Sequence, residues 1–252
     1  MSYHSEIKKA RQFLKDSWRK EFDFSQTAQA QGLPPPPLEK PVKPNQKIIP
    51  LLPPRQWKSF TDKGVLTAIR QRRSCRNFIS KPISQEELAI LLWVTQGVLR
   101  KGQGYTLRTV PSAGARHALE TYVCAMNIAD LKQGVYRYLP LSHSLVEEFL
   151  DNELRKQVIL ATFGQEYVGQ GACFFCWSAM CYRMEWRYGP GASKAIALDA
   201  GHVCQNLYLA CEIISCGCCA IGAYDQERLD GLLGLDSEEE FVVYSAVVGK
   251  RK

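Results

Sequence analysis

The stretch KAIALDAGHVCQNLYLACEIIS, residues 194–215, decides the architecture. It lies in the most apolar run of the chain, yet Asp199, His202, Gln205, Asn206 and Glu212 interrupt it. Polar groups at that density do not suit the hydrocarbon core of a bilayer, so the stretch predicts a buried helix and not a membrane span. Because it is apolar nearly all round, the helix is expected at the centre of the fold. Gly217 is expected to stop it.

Around this helix the pattern alternates. Ala172–Met180 reads as a buried strand. Thr121–Met126 and Val135–Leu139, joined across Lys132-Gln-Gly134, read as a hairpin. Ser84-Gln-Glu-Glu87 is a capping box, in which Ser84 takes a free amide and Glu87 reaches back; it opens a helix to about Gly97. Val65–Arg72 also reads as a helix, Lys101–Thr109 as a glycine-bearing loop, and Ser144–Phe163 as a helical stretch. Beyond the central helix, Ala220–Tyr224 is a short strand or loop, Gln226–Leu233 a helix and Glu240–Gly249 a final strand. Strands and helices alternate irregularly and without internal repeats, which makes the class α+β.

The first sixty residues differ in character. Ile7, Ala10, Phe13, Leu14 and Trp18 fall on one face of a helix expected over His4–Lys20. Prolines then recur from Pro34 to Pro54, and such chain runs extended, in polyproline fashion. The apolar Ile48-Ile49-Pro-Leu51-Leu52 within it is more than a solvated linker needs, so an arm that wraps a partner is expected. The chain therefore divides into a helix and proline-rich arm, 1–60, and a domain from Thr61 to residue 252.

Composition narrows the function. At 252 residues, 46 % hydrophobic and 23 % charged, the chain can bury one full core. No apolar run follows Met1–Ser5, so no signal peptide is expected, and the protein is expected to be soluble and cytoplasmic. The formal charge of +7 collects at the two ends and around Arg70–Arg76 without a continuous basic stripe, which points to one anionic ligand and not to nucleic acid. Ten cysteines in a reducing compartment read as small buried hydrophobes. Cys173-Phe-Phe-Cys176 lies on a strand, so its two thiols face opposite sides of a sheet. With four histidines and no metal spacing, no metal site is expected. No nucleophile elbow, Walker loop or strand-led dinucleotide glycine motif is present.

Four segments carry chemistry. Arg72-Arg73-Ser74-Cys75-Arg76 places three guanidiniums and a hydroxyl at a helix end, a phosphate clamp if an extended backbone turns Arg72, Ser74 and Arg76 the same way. Taken alone, a solvated basic patch fits it better. Pro111-Ser112-Ala113-Gly114-Ala115-Arg116-His117 offers small residues that a planar ligand can approach, or an ordinary turn and helix start. Gly217-Cys-Cys-Ala-Ile-Gly222-Ala-Tyr224-Asp225 exposes backbone amides of the kind a flavin needs near N5. Asp199 and His202 share a helix face and fit a core pair, or a pair facing a partner, better than an acid–base site.

Taken in order, these segments resemble the nitroreductase family, in particular its SagB-type dehydrogenase branch. The resemblance runs through R-R-S-x-R at 72–76, L-x-x-L-L-W-x-x-Q-G at 88–97, P-S-A-G at 111–114, G-V-Y-x-Y at 134–138, L-D-A-G-H-x-x-Q-N-L at 198–207 and A-I-G-A-Y-D at 220–225. It covers Val65 to Lys250. The resemblance implies a mixed, mainly antiparallel sheet flanked by helices, in an intertwined homodimer with FMN at the subunit interface. It further implies that Arg72, Arg73, Ser74 and Arg76 hold the FMN phosphate, ribityl and pyrimidine edge. Ser112, Ala113 and Gly114 approach from the other subunit, Ile221 and Gly222 lie along the isoalloxazine, and Lys250 and Arg251 complete the phosphate site. The activity implied is ping-pong hydride transfer through FMN N5, from NAD(P)H to a small organic acceptor. No residue is singled out as a catalytic acid or base. The alternatives are a SagB-type dehydrogenase acting on a peptide or small metabolite, and a non-catalytic flavin- or metal-binding protein. Two departures stand out. Where many relatives carry an Asn after Pro-Ser, this chain reads Ala115-Arg116-His117. The Lys-Tyr pair of azoline-oxidising relatives is also missing, since Lys194 lies between Ser193 and Ala195.

Overall fold

The architecture is described from a computed structural model, over residues 3–58, 60 and 63–252. In chain order the elements are α1 (Tyr3–Gln12), β1 (Ile48–Pro50), α2 (Val65–Gln71), α3 (Gln85–Gln96), β2 (Val98–Gly102), β3 (Tyr105–Arg108), β4 (Leu119–Ala125), β5 (Gly134–Leu139) and β6 (Ser144–Leu150). There follow α4 (Leu154–Ala161), α5 (Glu166–Gly169), β7 (Cys173–Met180), α6 (Cys181–Tyr188), α7 (Ala192–Ile213), β8 (Cys216–Ile221), α8 (Gln226–Leu233) and β9 (Glu240–Lys250).

Seven strands form one sheet in the order β1-β6-β5-β4-β7-β9-β8, and every pairing within it is antiparallel. Among the described residues, parallel pairing is confined to isolated bridges, Ser74 with Cys218 and Ile83 with Ile128. Both faces of the sheet are buried. Cys173, Phe175 and Trp177 of β7 pack with α3 and α7 on one side. Phe174 and Cys176 pack with α4 and α8 on the other. The period-two alternation therefore separates the two thiols of the C-x-x-C, as expected.

The central helix is present as α7, but its burial is one-sided. Ile196, Ala200, Val203, Leu207 and Ala210 are buried, while Ala197, Leu198, Gly201 and Gln205 are exposed. Gly217 does not stop it. The helix ends at Ile213, Ser215 takes the left-handed turn at φ 56°, and Gly217 lies inside β8. A Cβ at Gly217 would sit 2.6 Å from Cys75 Sγ, so the glycine permits close approach of the neighbouring segment.

Three further expectations are corrected. The helix over His4–Lys20 ends at Gln12, and a short 3-10 turn covers Ser17–Lys20. Lys101–Thr109 is no loop: it contributes to the β2–β3 hairpin, which turns at Gln103-Gly104. Ser144–Phe163 divides into β6 and α4, because β5 on one side and β1 on the other recruit 144–150 into the sheet. Tertiary pairing there overrides the helical preference of Glu147-Glu148.

The proline-rich segment is strapped to its own chain. Prolines cannot donate, so buried arginines bond the arm's carbonyls instead. Arg108 donates to Leu38 O at 2.9 Å, and Arg137 to Lys40 O and Pro41 O at 2.9 and 3.1 Å. Trp186 Nε1 donates to Leu33 O at 3.0 Å. The expected domain boundary at Thr61 lies outside the described residues, and β1, on the arm side of it, is already the outermost strand of the sheet.

Candidate functional site

The Arg72–Arg76 segment begins where α2 ends: Arg72 leaves helical geometry at φ −51°, ψ 124°. The chain then runs alongside β8, with Cys75 N–H donating to Cys218 O at 2.8 Å. Cys75 packs on Gly217. The Arg72 guanidinium lies 5.2 Å over the Tyr208 ring, and the Ser74 hydroxyl is 3.0 Å from the Tyr208 hydroxyl. Tyr208 also accepts the Ala220 N–H at 2.8 Å, tying the arginine segment to the end of β8. Arg76 is exposed beside Tyr167, 5.8 Å over the ring, and that phenol together with Cys219 raises its pKa further. Arg73 departs from the cluster and folds back onto the carbonyls of Arg70 and Arg72 at 3.0 and 2.8 Å. Among the described residues no carboxylate pairs with Arg72, Arg73 or Arg76. Tyr208 and Tyr167 were not singled out from sequence, where an aromatic on an amphipathic helix gives no functional signal.

The end of β8 is open next to this cluster. Ile221 is buried, with its carbonyl held by Ser245 Oγ at 2.9 Å, while Gly222 and Ala223 are exposed. A Cβ at Gly222 would meet nothing within 4 Å. Lys250 and Arg251 lie near but are engaged. Lys250 Nζ bonds Glu87 and the Ile214 carbonyl, and Arg251 takes both Glu212 oxygens at 3.0 Å.

Ser112, Ala113 and Gly114 stand apart, on a loop fixed by Asp199. The Ala113 N–H donates to Asp199 Oδ1 at 3.2 Å, and Ser112 Oγ accepts the His117 N–H at 2.9 Å. Burial raises the Asp199 pKa against the opposing hydrogen bonds of Ser112 and Ala113, and its other oxygen is buried without a partner. Asp199 thus serves the loop, while His202 is exposed. Nine residues of helix, about 13 Å of rise, separate Asp199 from Tyr208. One chain therefore does not bring Ser112–Gly114 to the Arg72–Arg76 cluster.

His117, buried beneath this loop, meets Thr106 O through Nε2 at 3.1 Å. Burial first, then the Arg108 charge, pushes its pKa down to about 3. An unfolded histidine titrates near 6.5, so in the window from about 6.5 down to 3 protons bind the unfolded chain preferentially. The stability held by neutral His117 is complete above 6.5 and is lost as pH falls. Relative to H117Q, the wild type should lose roughly 2 kcal/mol between pH 6.5 and 5, read as a drop in urea midpoint. Midpoints that run parallel over that range refute the assignment.

An apolar cleft of about 560 Å³ lies elsewhere, between Phe13, the N-terminal half of α7 (Ile196, Ala200) and β9 (Phe241, Tyr244). It lacks convergent charged groups, so the Arg72–Arg76 cluster and not the cleft is the candidate site. Lys194, on the same half of α7, donates to Leu14 O at 2.8 Å and lies 3.6 Å from Asp16. All ten cysteines are free thiols, and among the described residues no three His, Cys, Asp or Glu side chains group as metal ligands.

This arrangement, an antiparallel sheet between helices with an arginine-lined edge beside an open strand end, matches known proteins. The model of the nitroreductase family matches residues 69–250. A "putative nitroreductase" of Methanocaldococcus jannaschii is 34 % identical over 181 residues, 72 % of this chain and 88 % of that protein. The chain belongs to the nitroreductase family. Among solved structures, a "putative nitroreductase" of Ralstonia eutropha is 25 % identical, with a TM-score of 0.68 over 87 % of this chain and 95 % of that one. An NADPH:FMN oxidoreductase of Vibrio harveyi, solved with NAD+, shares the fold at 19 % identity and a TM-score of 0.53, over 75 % of this chain and 69 % of that one. A chain from Anabaena variabilis, 24 % identical with a TM-score of 0.64 over 75 % of this chain, is longer, and this chain spans 38 % of it.

Proposed function

We propose that this protein is an FMN-dependent oxidoreductase of the SagB-type dehydrogenase branch, working as a homodimer. The observation that carries this is the cluster of Arg72, Ser74 and Arg76, free of carboxylates and tied through Tyr208 to the open, small-residue end of β8. Three cationic or hydroxyl donors beside an exposed glycine fit an anionic, planar ligand: phosphate on the arginines, a ring against Gly222. The Vibrio harveyi protein of the same fold, an NADPH:FMN oxidoreductase, agrees with that fit. Bound FMN supplies hydride transfer through N5 from NAD(P)H to a small organic acceptor.

The chain's own residues bind and orient. Arg72, Ser74 and Arg76 hold the phosphate and polar edge, with Arg73 adding charge from the flank. Ile221 and Gly222 present backbone to the ring, and Ser112, Ala113 and Gly114 reach the site from the second subunit. Lys250 and Arg251 sit behind the cluster, where Glu87 and Glu212 neutralise them, and they order the strand end more than they add charge. The dimer is supported by exposed apolar side chains on two helices, Val65, Leu66 and Ile69 of α2 and Leu198 of α7. Among the described residues no helix is long and apolar enough to cross a membrane, and ten unpaired thiols suit a cytoplasmic setting. The hold of Leu14 and Asp16 on Lys194 counts against azoline chemistry on a peptide.

The test is the visible spectrum of the purified protein, with identification of any chromophore released on denaturation. Oxidised-flavin bands and about one FMN per chain are expected, bleached on addition of NADH or NADPH and restored by a quinone. A colourless protein that takes up no added FMN overturns the proposal.

A further inference from the structure

The loop that carries Ser112–Gly114 also carries charge that no carboxylate among the described residues pairs with. Gly114 adopts φ 57°, and the next residues include two non-glycine left-handed positions, Ala115 at 54° and His117 at 46°. Strained backbone of this kind persists only where its surroundings impose it, here through Asp199 on Ala113 and Ser112 on His117. Two arginines meet at its apex. A Cβ on Gly114 would lie 2.5 Å from Tyr188 Oη and 3.0 Å from Arg187 Cδ and Nε, so Arg187 packs directly on the glycine. From the other flank, Arg116 Nε donates to Gly114 O at 3.3 Å and Nη2 to Gly104 O at 2.8 Å, in the β2–β3 turn.

Both guanidiniums rest on aromatic platforms. Arg116 lies 5.1 Å over Trp186, and Arg187 5.6 Å over Tyr188. Among the described residues neither forms an ion pair with a carboxylate. The Arg116 pKa is lowered, by burial first and then by the adjacent Arg187 charge. A guanidinium carries five N–H donors in a planar fork, and Arg116 commits only those on Nε and Nη2, leaving its Nη1 donors free. Two like charges held side by side, with donors unspent, suit an anion.

We infer that Arg116 and Arg187, fixed on either side of Gly114, form a binding site for one anionic group, a phosphate or carboxylate, carried by the electron donor or acceptor. The donor-or-acceptor part rests on the proposal that Ser112–Gly114 faces the flavin of the partner subunit. The arginine site itself does not depend on it. An anion there removes the repulsion between the two cations and accepts charge-assisted hydrogen bonds from both.

Inorganic pyrophosphate is the probe, titrated calorimetrically at low ionic strength into FMN-loaded protein, so that the Arg72–Arg76 cluster is already filled. Pyrophosphate should bind the wild type at least about tenfold more tightly than R116Q/R187Q, the equivalent of one charge-assisted hydrogen bond. Arg187 is exposed, so R187Q alone keeps the fold and should show part of that loss, and R187K should recover some of it through charge without the fork. Equal affinities in wild type and double variant overturn the site. Two kinetic ratios then locate the anion: kcat/KM for 4-nitrobenzoate over nitrobenzene, and for NADPH over NADH. A fall in the first ratio in R116Q/R187Q assigns it to the acceptor, and a fall in the second to the donor's additional phosphate. If neither ratio moves, the link to electron transfer is overturned. Should the chain bind no FMN, the proposed function fails, and the pyrophosphate comparison on flavin-free protein still decides the arginine site.

Discussion

Replacing Arg72 and Arg76 together by alanine is expected to weaken FMN binding by roughly 10²–10⁴-fold. A hydrogen bond to a charged group contributes about 1.5–3 kcal/mol, and about 1.4 kcal/mol is a factor of ten, so two such contacts give that range. Arg76 is exposed and Arg72 is only part-buried, its guanidinium lying over an aromatic ring, so the fold loses little with them. The two cation–π contacts given up, Arg72 on Tyr208 and Arg76 on Tyr167, lie at exposed or part-exposed sites and together move Tm by only a few degrees. Flavin affinity and thermal stability therefore separate in this variant, and loss of FMN cannot be ascribed to unfolding. Quenching of flavin fluorescence on titration gives the Kd directly. Riboflavin, which has the ring and its polar edge but not the phosphate, is the internal control and should lose much less affinity than FMN. Full FMN occupancy in R72A/R76A, or an equal loss for riboflavin, removes the phosphate clamp from the site.

What made this cluster visible in the sequence was local: a helix end followed by an alternating segment puts residues 72, 74 and 76 on one side wherever that segment is extended. The same kind of local signal gave the capping box at Ser84, the strands over 121–126, 135–139 and 172–180, and the helix Gln226–Leu233. What failed needed partners distant in sequence. Ser144–Leu150 is a strand only because β5 and β1 flank it, and its own residues favour a helix equally well. Tyr208 became part of the site because α7 sets its hydroxyl between Ser74 and Ala220, a meeting across 134 residues that no spacing announces. The acids that occupy Lys250 and Arg251 come from Glu87 and Glu212, on two different helices. The arm's prolines signal extension without signalling what it lies on. The arginines that bind it lie beyond residue 100.

Those arginines belong to a buried charge network centred on Glu120, whose removal should be the most damaging single change to the fold. Glu120 on β4 is 2 % exposed, and its carboxylate meets Arg183 Nη2, Arg137 Nη1 at 3.7 Å and the backbone N–H of Lys40 at 2.7 Å. Arg137 is 1 % and Arg183 4 % exposed, so E120A leaves two guanidiniums in the interior short of their counter-charge. Arg183 Nη1 already lacks a partner, so the network has no slack on that side. Breaking a buried pair by deleting one member costs about 3–5 kcal/mol, mostly as desolvation of the charge left behind. In a chain of this size each kcal/mol lowers Tm by about 2–4 °C, so a fall of roughly 6–20 °C is expected. E120Q, which keeps an acceptor of the same shape, should fall less. The loss should also be uneven, because Lys40 donates to Glu120 and its ammonium pairs with Glu240, while Arg137 donates to the Lys40 and Pro41 carbonyls. Protease cleavage within residues 33–47 should therefore accelerate in E120A well below its melting temperature, before the sheet opens. A variant that melts within 2 °C of the wild type, with its arm still protected, would mean that Arg137, Arg183 and the Lys40 amide find equivalent partners without Glu120, and that the remaining bonds to the arm carbonyls hold it in place.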